Sequence, residues 1–229
     1  GYDPIFITDS GKSFAELTSE EKDAIIKAYP AAASLFKPCY GADEYLDRRE
    51  RWCLWLKGIS PSVYRGIKPI SDAINKVKEF RASSTRTQTQ KFASTPMLFG
   101  ETRQPQSDYL IVPLVNTEKR VYVPMDFFTA DIVPTHQLGV IENATLYHFG
   151  VLQSIVHMAW MRYVCGRQEM RTRYSVEIVY NNFPWPTPND TQIQKIVKTA
   201  KAILEARKKY SDWKPFDLYC DLMPPELIK

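Results

Sequence analysis

The chain is poor in the residues from which catalytic and metal centres are assembled. It has three histidines and four cysteines in 229 residues. Cys39, Cys53, Cys165 and Cys220 lie far apart, with no CxxC pair and no histidine at zinc-ligand spacing. That excludes a zinc module and reads instead as reduced cysteines packed as small hydrophobes in a cytoplasmic protein. The nine glycines form neither a GxxxxGK loop nor a GxGxxG turn, so nucleotide binding has no support. HExxH, GxSxG and HxE with PCxxC are also missing, and the carboxylates do not cluster as metal-dependent hydrolysis requires. Catalysis by this chain alone is therefore not expected, and no metal is implied. The longest apolar run, Leu146 to Val164, contains His148, Gln153, Ser154, His157 and Arg162 and is too polar to span a bilayer. No basic-then-apolar leader is present, and a start at Gly1 rather than Met reads as an excised piece of a longer protein.

What is present is a globular composition, 44% hydrophobic and 24% charged, with a formal charge of +4. Such a length predicts one domain, or one with a small appendage. Thr18 with Glu21 predicts a capping box and a helix with Ala24, Ile25, Ala28 and Tyr29 on its apolar side, ending at Pro30. Residues 31–47 read as irregular. Arg51 to Leu56 reads as a buried strand, with Trp52 and Trp55 in the core. Ser71, Ile74, Val77, Lys78 and Arg81 predict a helix running towards Lys91 before Pro96 stops it. The Ser-, Thr-, Gln- and Arg-rich stretch 83–107 reads as a long exposed connection, helical in its first half.

Tyr109 to Val112 and Arg120 to Val123 flank Asn116 to Lys119 as a predicted hairpin. Residues 127–143 read as short strands broken at Pro134 and Gly139. Leu146 to Val164 predicts one helix stopped by Gly166, with His148 and His157 as core or boundary residues. Tyr174 to Tyr180 alternates like a strand, and Asn182 to Pro188 is too proline-rich to continue a sheet. A last helix starts near Asn189, with Gln192 at its third position, Ile193, Ile196, Val197, Ala200, Ile203 and Leu204 on one face and lysines on the other. The fold class expected is α+β: a mixed or antiparallel sheet with hairpins and packed helices, plus a C-terminal helical segment.

Charge is unevenly placed. Between positions 65 and 103, Arg65, Lys68, Lys76, Lys78, Arg81, Arg86, Lys91 and Arg103 face three acids, a net +5 that exceeds the whole chain's +4. Cations followed by hydroxyls and amides suit phosphate contacts, and they equally suit a solvated basic face. A second cluster over 162–173 sets Arg162, Arg167, Arg171 and Arg173 against Glu169, and its part from Gly166 to Arg173 reads as a loop or strand entry between the predicted helix and strand. Arginine bonds O6 and N7 of guanine, and glutamate accepts from N4 of cytosine. Extended chain would put Glu169 and Arg171 on one side, able to read both bases of a C·G pair. A local Glu–Arg surface pair is the alternative. His136, in a loop between strands, is the one histidine with a claim to a ligand.

Four segments carry a resemblance: Arg51-Trp-Cys-Leu-Trp-Leu56, Thr95-Pro-Met-Leu-Phe-Gly-Glu-Thr-Arg-Gln-Pro105, Asn143-Ala-Thr-Leu-Tyr-His-Phe-Gly150 and Tyr180-Asn-Asn-Phe-Pro-Trp-Pro186. Together and in this order they resemble the C-terminal target-recognition region of bacterial adenine-specific DNA methyltransferases of the type IIL/IIG restriction–modification class. The resemblance covers nearly the whole chain. It implies a domain that reads double-stranded DNA, while a methyltransferase domain of the same polypeptide, optionally with a nuclease, binds S-adenosylmethionine and flips out the adenine. No cofactor is then expected in this chain, and the family's Asn/Asp-Pro-Pro-Tyr/Phe motif is absent. Asn182-Phe183-Pro184-Trp185 has similar letters in the wrong order. The boundaries expected are a helical linker over 1–40, the recognition domain over 41–186 and a helical segment over 187–229.

The resemblance also implies that specificity varies at His136 and Gln137 and at Glu169 and Arg171. His136 departs from the asparagine more usual there, whereas Glu169-x-Arg171 keeps the family form. Arg173 joins the expected base-reading set. Lys76, Arg81, Arg86, Lys91, Arg103 and Arg167 are the expected phosphate contacts. Two other readings stand beside this one: a protein-interaction module whose basic face meets an acidic partner, and an RNA-binding piece that stacks bases on exposed aromatics.

Overall fold

The computed structural model describes residues 16–100, 102 and 104–220. In chain order they form α1 (Ser19–Ala28), β1 (Phe36–Tyr40), α2 (Ala42–Asp47), β2 (Trp52–Leu54), α3 (Pro61–Tyr64) and α4 (Lys68–Ala82). Next come α5 (Thr87–Lys91), β3 (Tyr109–Pro113), β4 (Val115–Asn116), β5 (Asp126–Phe128), β6 (Val133–Pro134) and β7 (Leu138–Glu142). Then follow α6 (Leu146–Leu152), α7 (Ile155–Val164), β8 (Gly166–Gln168), β9 (Arg171–Arg173) and α8 (Asp190–Lys209). Short 3-10 segments lie at Pro30–Leu35 and Phe92–Ser94, and a π-helical turn at Val176–Tyr180. The class is α+β, as expected, with three-stranded sheets ordered β2–β1–β6, β5–β3–β7 and β4–β9–β8. The chain forms two compact units. One comprises Gly1–Tyr40, Glu50–Gln104 and Asp131–Val133; the other comprises Gly41–Arg49, Pro105–Ala130 and Pro134–Lys229.

In the first unit α1 starts at the expected capping box, Thr18 accepting from the Glu21 N–H and Glu21 from the Thr18 N–H. Its apolar contacts come from Ile25, Ile26 and Tyr29 rather than from the exposed Ala24 and Ala28. The stretch expected to be irregular contains the 3-10 segment, β1 and α2. β1 pairs antiparallel with β2 in the register Phe36↔Leu54. Leu35, Leu54, Leu56, Ile67, Ile70 and Val77 fill the core. Trp55 is buried and stacks on Phe99 at 5.4 Å, while Trp52 is half-buried beneath the Lys22 ammonium.

The helix expected to run towards Lys91 ends at Ala82, and α5 is separate. The cause is Arg81, which is fully buried. Its Nη1 donates to the carbonyls of Phe92 and Thr95, both at 3.1 Å, and its Nη2 to that of Leu98 at 3.0 Å. The Phe92 and Thr95 carbonyls also accept from the Thr95 and Leu98 N–H groups, both at 3.1 Å, so the guanidinium adds a second donor to each and ties the 92–98 turns to the end of α4.

In the second unit β3 is buried along its whole length, between β5 and β7. The hairpin expected between 109–112 and 120–123 does not form. The Val121 N–H goes to the Tyr219 carbonyl at 2.9 Å, and the buried Arg120 donates from Nε to Phe216 at 3.2 Å. β3 instead takes Val140 and Asp126 opposite Ile111. Pro134 ends β6, as expected, whereas Gly139 lies within β7 and pairs with Val112.

The helix expected over 146–164 is split. Ser154 caps α7 by accepting from the His157 N–H, and the buried Gln153 donates to the Val123 carbonyl at 2.6 Å. Gly166 is not a helix cap; Cys165 ends α7 in extended backbone and Gly166 opens β8. Val176 to Tyr180 is a π turn rather than a strand, closed by Asn181 N–H to the Val176 carbonyl at 2.9 Å. α8 begins at the expected Asn189–Gln192 capping box and packs Ala200 into the core. A Cβ at Gly150 would meet Ile196 Cγ2 at 2.7 Å and its carbonyl oxygen at 3.2 Å, so glycine permits the close approach of α6 and α8. Phe183, in the proline-rich segment, is buried with its ring 4.6 Å from that of His157.

Arg81→Leu is expected to lower unfolding stability by about 2–3 kcal/mol, because three charge-assisted hydrogen bonds that tie residues 92–98 to α4 are lost. Arg86→Leu on the nearby surface should stay within about 0.5 kcal/mol. Urea denaturation of both variants checks this, and a small effect at Arg81 contradicts it.

Candidate nucleic-acid interface

The segment 166–173, read from sequence as a loop or strand entry, is a β-hairpin. β8 and β9 pair as Gly166↔Arg173, Arg167↔Thr172 and Gln168↔Arg171, leaving Glu169 and Met170 as a two-residue turn. Glu169 has φ 57°, the left-handed conformation, so the extended geometry that would set it beside Arg171 on one side is not present. Directly opposed residues share a face of a sheet, and faces alternate along a strand. One face therefore carries Gln168, Arg171 and Arg173, and the other carries Arg167 and Thr172.

Thr172 is the anchor. It is 6% exposed, lies opposite the buried Asn116 of β4, and its hydroxyl donates to the Asn116 carbonyl at 3.4 Å. Asn116 Nδ2 in turn donates to Pro113 at 2.7 Å. β4 reaches only Thr172 and Arg173, so the ribbon is two-stranded beyond that point. Arg167, Gln168, Glu169, Arg171 and Arg173 are all exposed, and none makes an ion pair or side-chain hydrogen bond among the described residues. The Glu–Arg surface pair offered as an alternative does not form.

The other expected base-reading pair lies in the turn between β6 and β7. His136 is exposed. Gln137 is not directed outward: its Oε1 accepts from the Ala42 N–H at 3.0 Å, and its Nε2 donates to Asp43 at 3.3 Å. A Cβ at Gly41 would meet that Oε1 at 2.2 Å, so a larger residue there would displace the Gln137 amide. Gln137 is thus committed to the first turn of α2. The two loops, far apart in sequence, meet through one residue. The Leu114 N–H donates to the Gln137 carbonyl at 3.0 Å, and the Leu114 carbonyl accepts from the Tyr174 N–H at 2.8 Å.

Beneath the ribbon the buried His157 shares a hydrogen bond with the Tyr174 hydroxyl at 3.1 Å. Its Nδ1 has no partner among the described residues, and burial lowers its pKa from 6.5 to about 4. His148 accepts the Thr145 N–H at the start of α6, and its ring meets Trp185 edge-on. Both are the structural histidines expected.

The expected phosphate contacts fall in different places. Arg86 and Lys91 are exposed on the first unit and Lys76 is half-buried there. Arg81 is withdrawn from the set, since a fully buried guanidinium bonded to three carbonyls does not reach a phosphate. Arg103 lies outside the described residues. Arg167 belongs to the ribbon. Sequence reasoning passed over Gln168, whose place opposite Arg171 follows from the two-residue turn.

A family model described as MmeI, target recognition domain, matches residues 8–187. The chain belongs to this family. The MmeI-type domain is also similar to DNA methyltransferase A of Bacillus subtilis (strain 168), at 34% identity over 190 residues, covering 83% of this chain and 22% of that protein. A solved structure of the type IIL restriction–modification enzyme MmeI in complex with DNA matches the whole chain at TM-score 0.90 and 38% identity, covering 31% of that chain. The chain thus spans less than a third of the length of either relative. Among the described residues no helix of this MmeI-type domain is long and apolar enough to cross a membrane, and no His, Cys, Asp and Glu group could hold a metal ion.

Because folded His157 resists protonation while the unfolded chain does not, the stability that its neutral form contributes is fully present above about pH 6.5 and declines as pH falls towards about 4. Thermal melts should show this slope in the parent and a flatter one in His157→Gln. Equal slopes would remove His157 as the cause.

Proposed function

We propose that this chain reads the base sequence of double-stranded DNA on behalf of a bacterial restriction–modification methyltransferase. The observation that carries the reading is the β8–β9 ribbon, which presents cations, an amide and an acid outward from a packed base. A major groove about 12 Å wide admits a two-stranded ribbon. Arg171 and Arg173 suit guanine edges, and Glu169 suits the cytosine amino group. His136 adds a reader tied to the same base through Leu114. Exposed Arg86, Lys91 and Arg167, together with Lys76, would hold phosphates. Membership of the MmeI family, whose namesake is solved with DNA, supports the reading.

Methyl transfer to adenine belongs, in this reading, to the remainder of a cytoplasmic polypeptide, which also holds S-adenosylmethionine. Two pockets among the described residues do not suit that cofactor. The small one bordered by Asn116, Arg120, Met161 and Thr172 holds about 20 Å³, room for a water. The groove along Pro186, Pro188 and Ile196 has no carboxylate to meet ribose hydroxyls.

In the full-length polypeptide, Glu169→Lys combined with Arg171→Asp is expected to change the methylated sequence at one base pair. Mapping of methylated sites checks this, and an unchanged site overturns the assignment of that pair. Lys91→Ala should weaken binding to all duplexes alike and reduce the salt slope by about one. Titrations against duplex DNA, single-stranded RNA and an acidic protein across salt test the class of partner. Stronger binding to either of the latter two overturns the reading.

A further inference from the structure

Resting on the recognition reading above, we propose that Gln168 is a further specificity-determining residue, reading adenine beside the base contacted by Arg171. Three observations place it. The register puts Gln168 directly opposite Arg171, and therefore on the face shared with Arg173. Thr172, the residue between the two arginines, is buried on the opposite face, which fixes the outward direction of its neighbours. Gln168 is exposed and makes no hydrogen bond among the described residues, so its amide is available.

The dimensions match a base-pair ladder. Arg171 and Arg173 are two residues apart, about 6.6–6.8 Å along a strand. That equals two base steps of about 3.4 Å on one DNA strand. Opposed residues across a ribbon have Cβ atoms roughly 5 Å apart, so Gln168 reaches the same or the next base pair as Arg171. At the other end of this face Arg173 has Gly166 opposite, where an added Cβ would meet nothing within 4 Å. The face thus carries one amide at its tip and two guanidinium groups behind it. A glutamine amide donates and accepts side by side, the pattern presented by N7 and N6 of adenine, and an arginine cannot accept. The ribbon therefore combines two chemically different readers, and the glutamine supplies the adenine-specific one.

The test maps methylated sites for the full-length polypeptide carrying Gln168→Ala, Gln168→Glu or the Glu169→Lys, Arg171→Asp pair. Gln168→Ala should relax discrimination roughly ten- to a hundredfold at one position, at or next to that altered by the pair. Gln168→Glu should shift preference there away from adenine. If the pair changes the site while both Gln168 variants keep the parental profile, the assignment of Gln168 fails and the recognition reading stands. If none of the three changes the site, the recognition reading itself fails and this proposal with it.

Discussion

Buried and half-buried guanidinium groups tie non-strand backbone together where the sheets of this molecule are short. Long stretches of backbone lie outside any ladder. Arg81 gathers three carbonyls of the 92–98 turns in the first unit. In the second, Arg120 donates to Phe216, Arg162 to Val121, and Arg207 to Met125 at 2.7 Å and to the Tyr219 hydroxyl. A planar fork with five donors ties separate carbonyls into one node, which a lysine cannot reproduce. Strand segments of two to five residues are viable here because the arginines complete the hydrogen bonding that longer strands would provide.

This use of arginine also explains what charge counting along the chain misread. A run of Lys and Arg looks like one electrostatic surface, yet Arg81 of the +5 segment and Arg162 of the second cluster serve the interior. Helix ends were legible wherever local chemistry decides them: the Thr18–Glu21 and Asn189–Gln192 boxes appear as read. The break at Ser154 has its own local cap, but it was hidden inside a continuous apolar pattern. The end of α4, the loss of the 109–123 hairpin and the π turn at Val176–Tyr180 were not legible. Each depends on partners far away in sequence, such as Phe92, Tyr219 and the core around Val179.

The candidate site divides in the same way. That residues 166–173 are the candidate reading element proposed above was legible from their residue types and their place between packed elements. Which of them share a face depends on whether the turn has two residues or three, and alternation then reverses every side chain. The structure resolves that choice through Thr172, whose burial against Asn116 fixes the register. The meeting of the His136 turn with the ribbon, through both backbone groups of Leu114, has no local signal at all.

Glu169 occupies a left-handed backbone position at φ 57°, where glycine or asparagine would sit at less cost. A carboxylate held there sacrifices roughly 1–2 kcal/mol of conformational ease to project an acid from the tip of the ribbon. Selection for folding alone would replace it and leave a sturdier hairpin without an acid at its tip. Improving such a scaffold by consensus or stability ranking would therefore remove first the residue to which a cytosine contact is proposed.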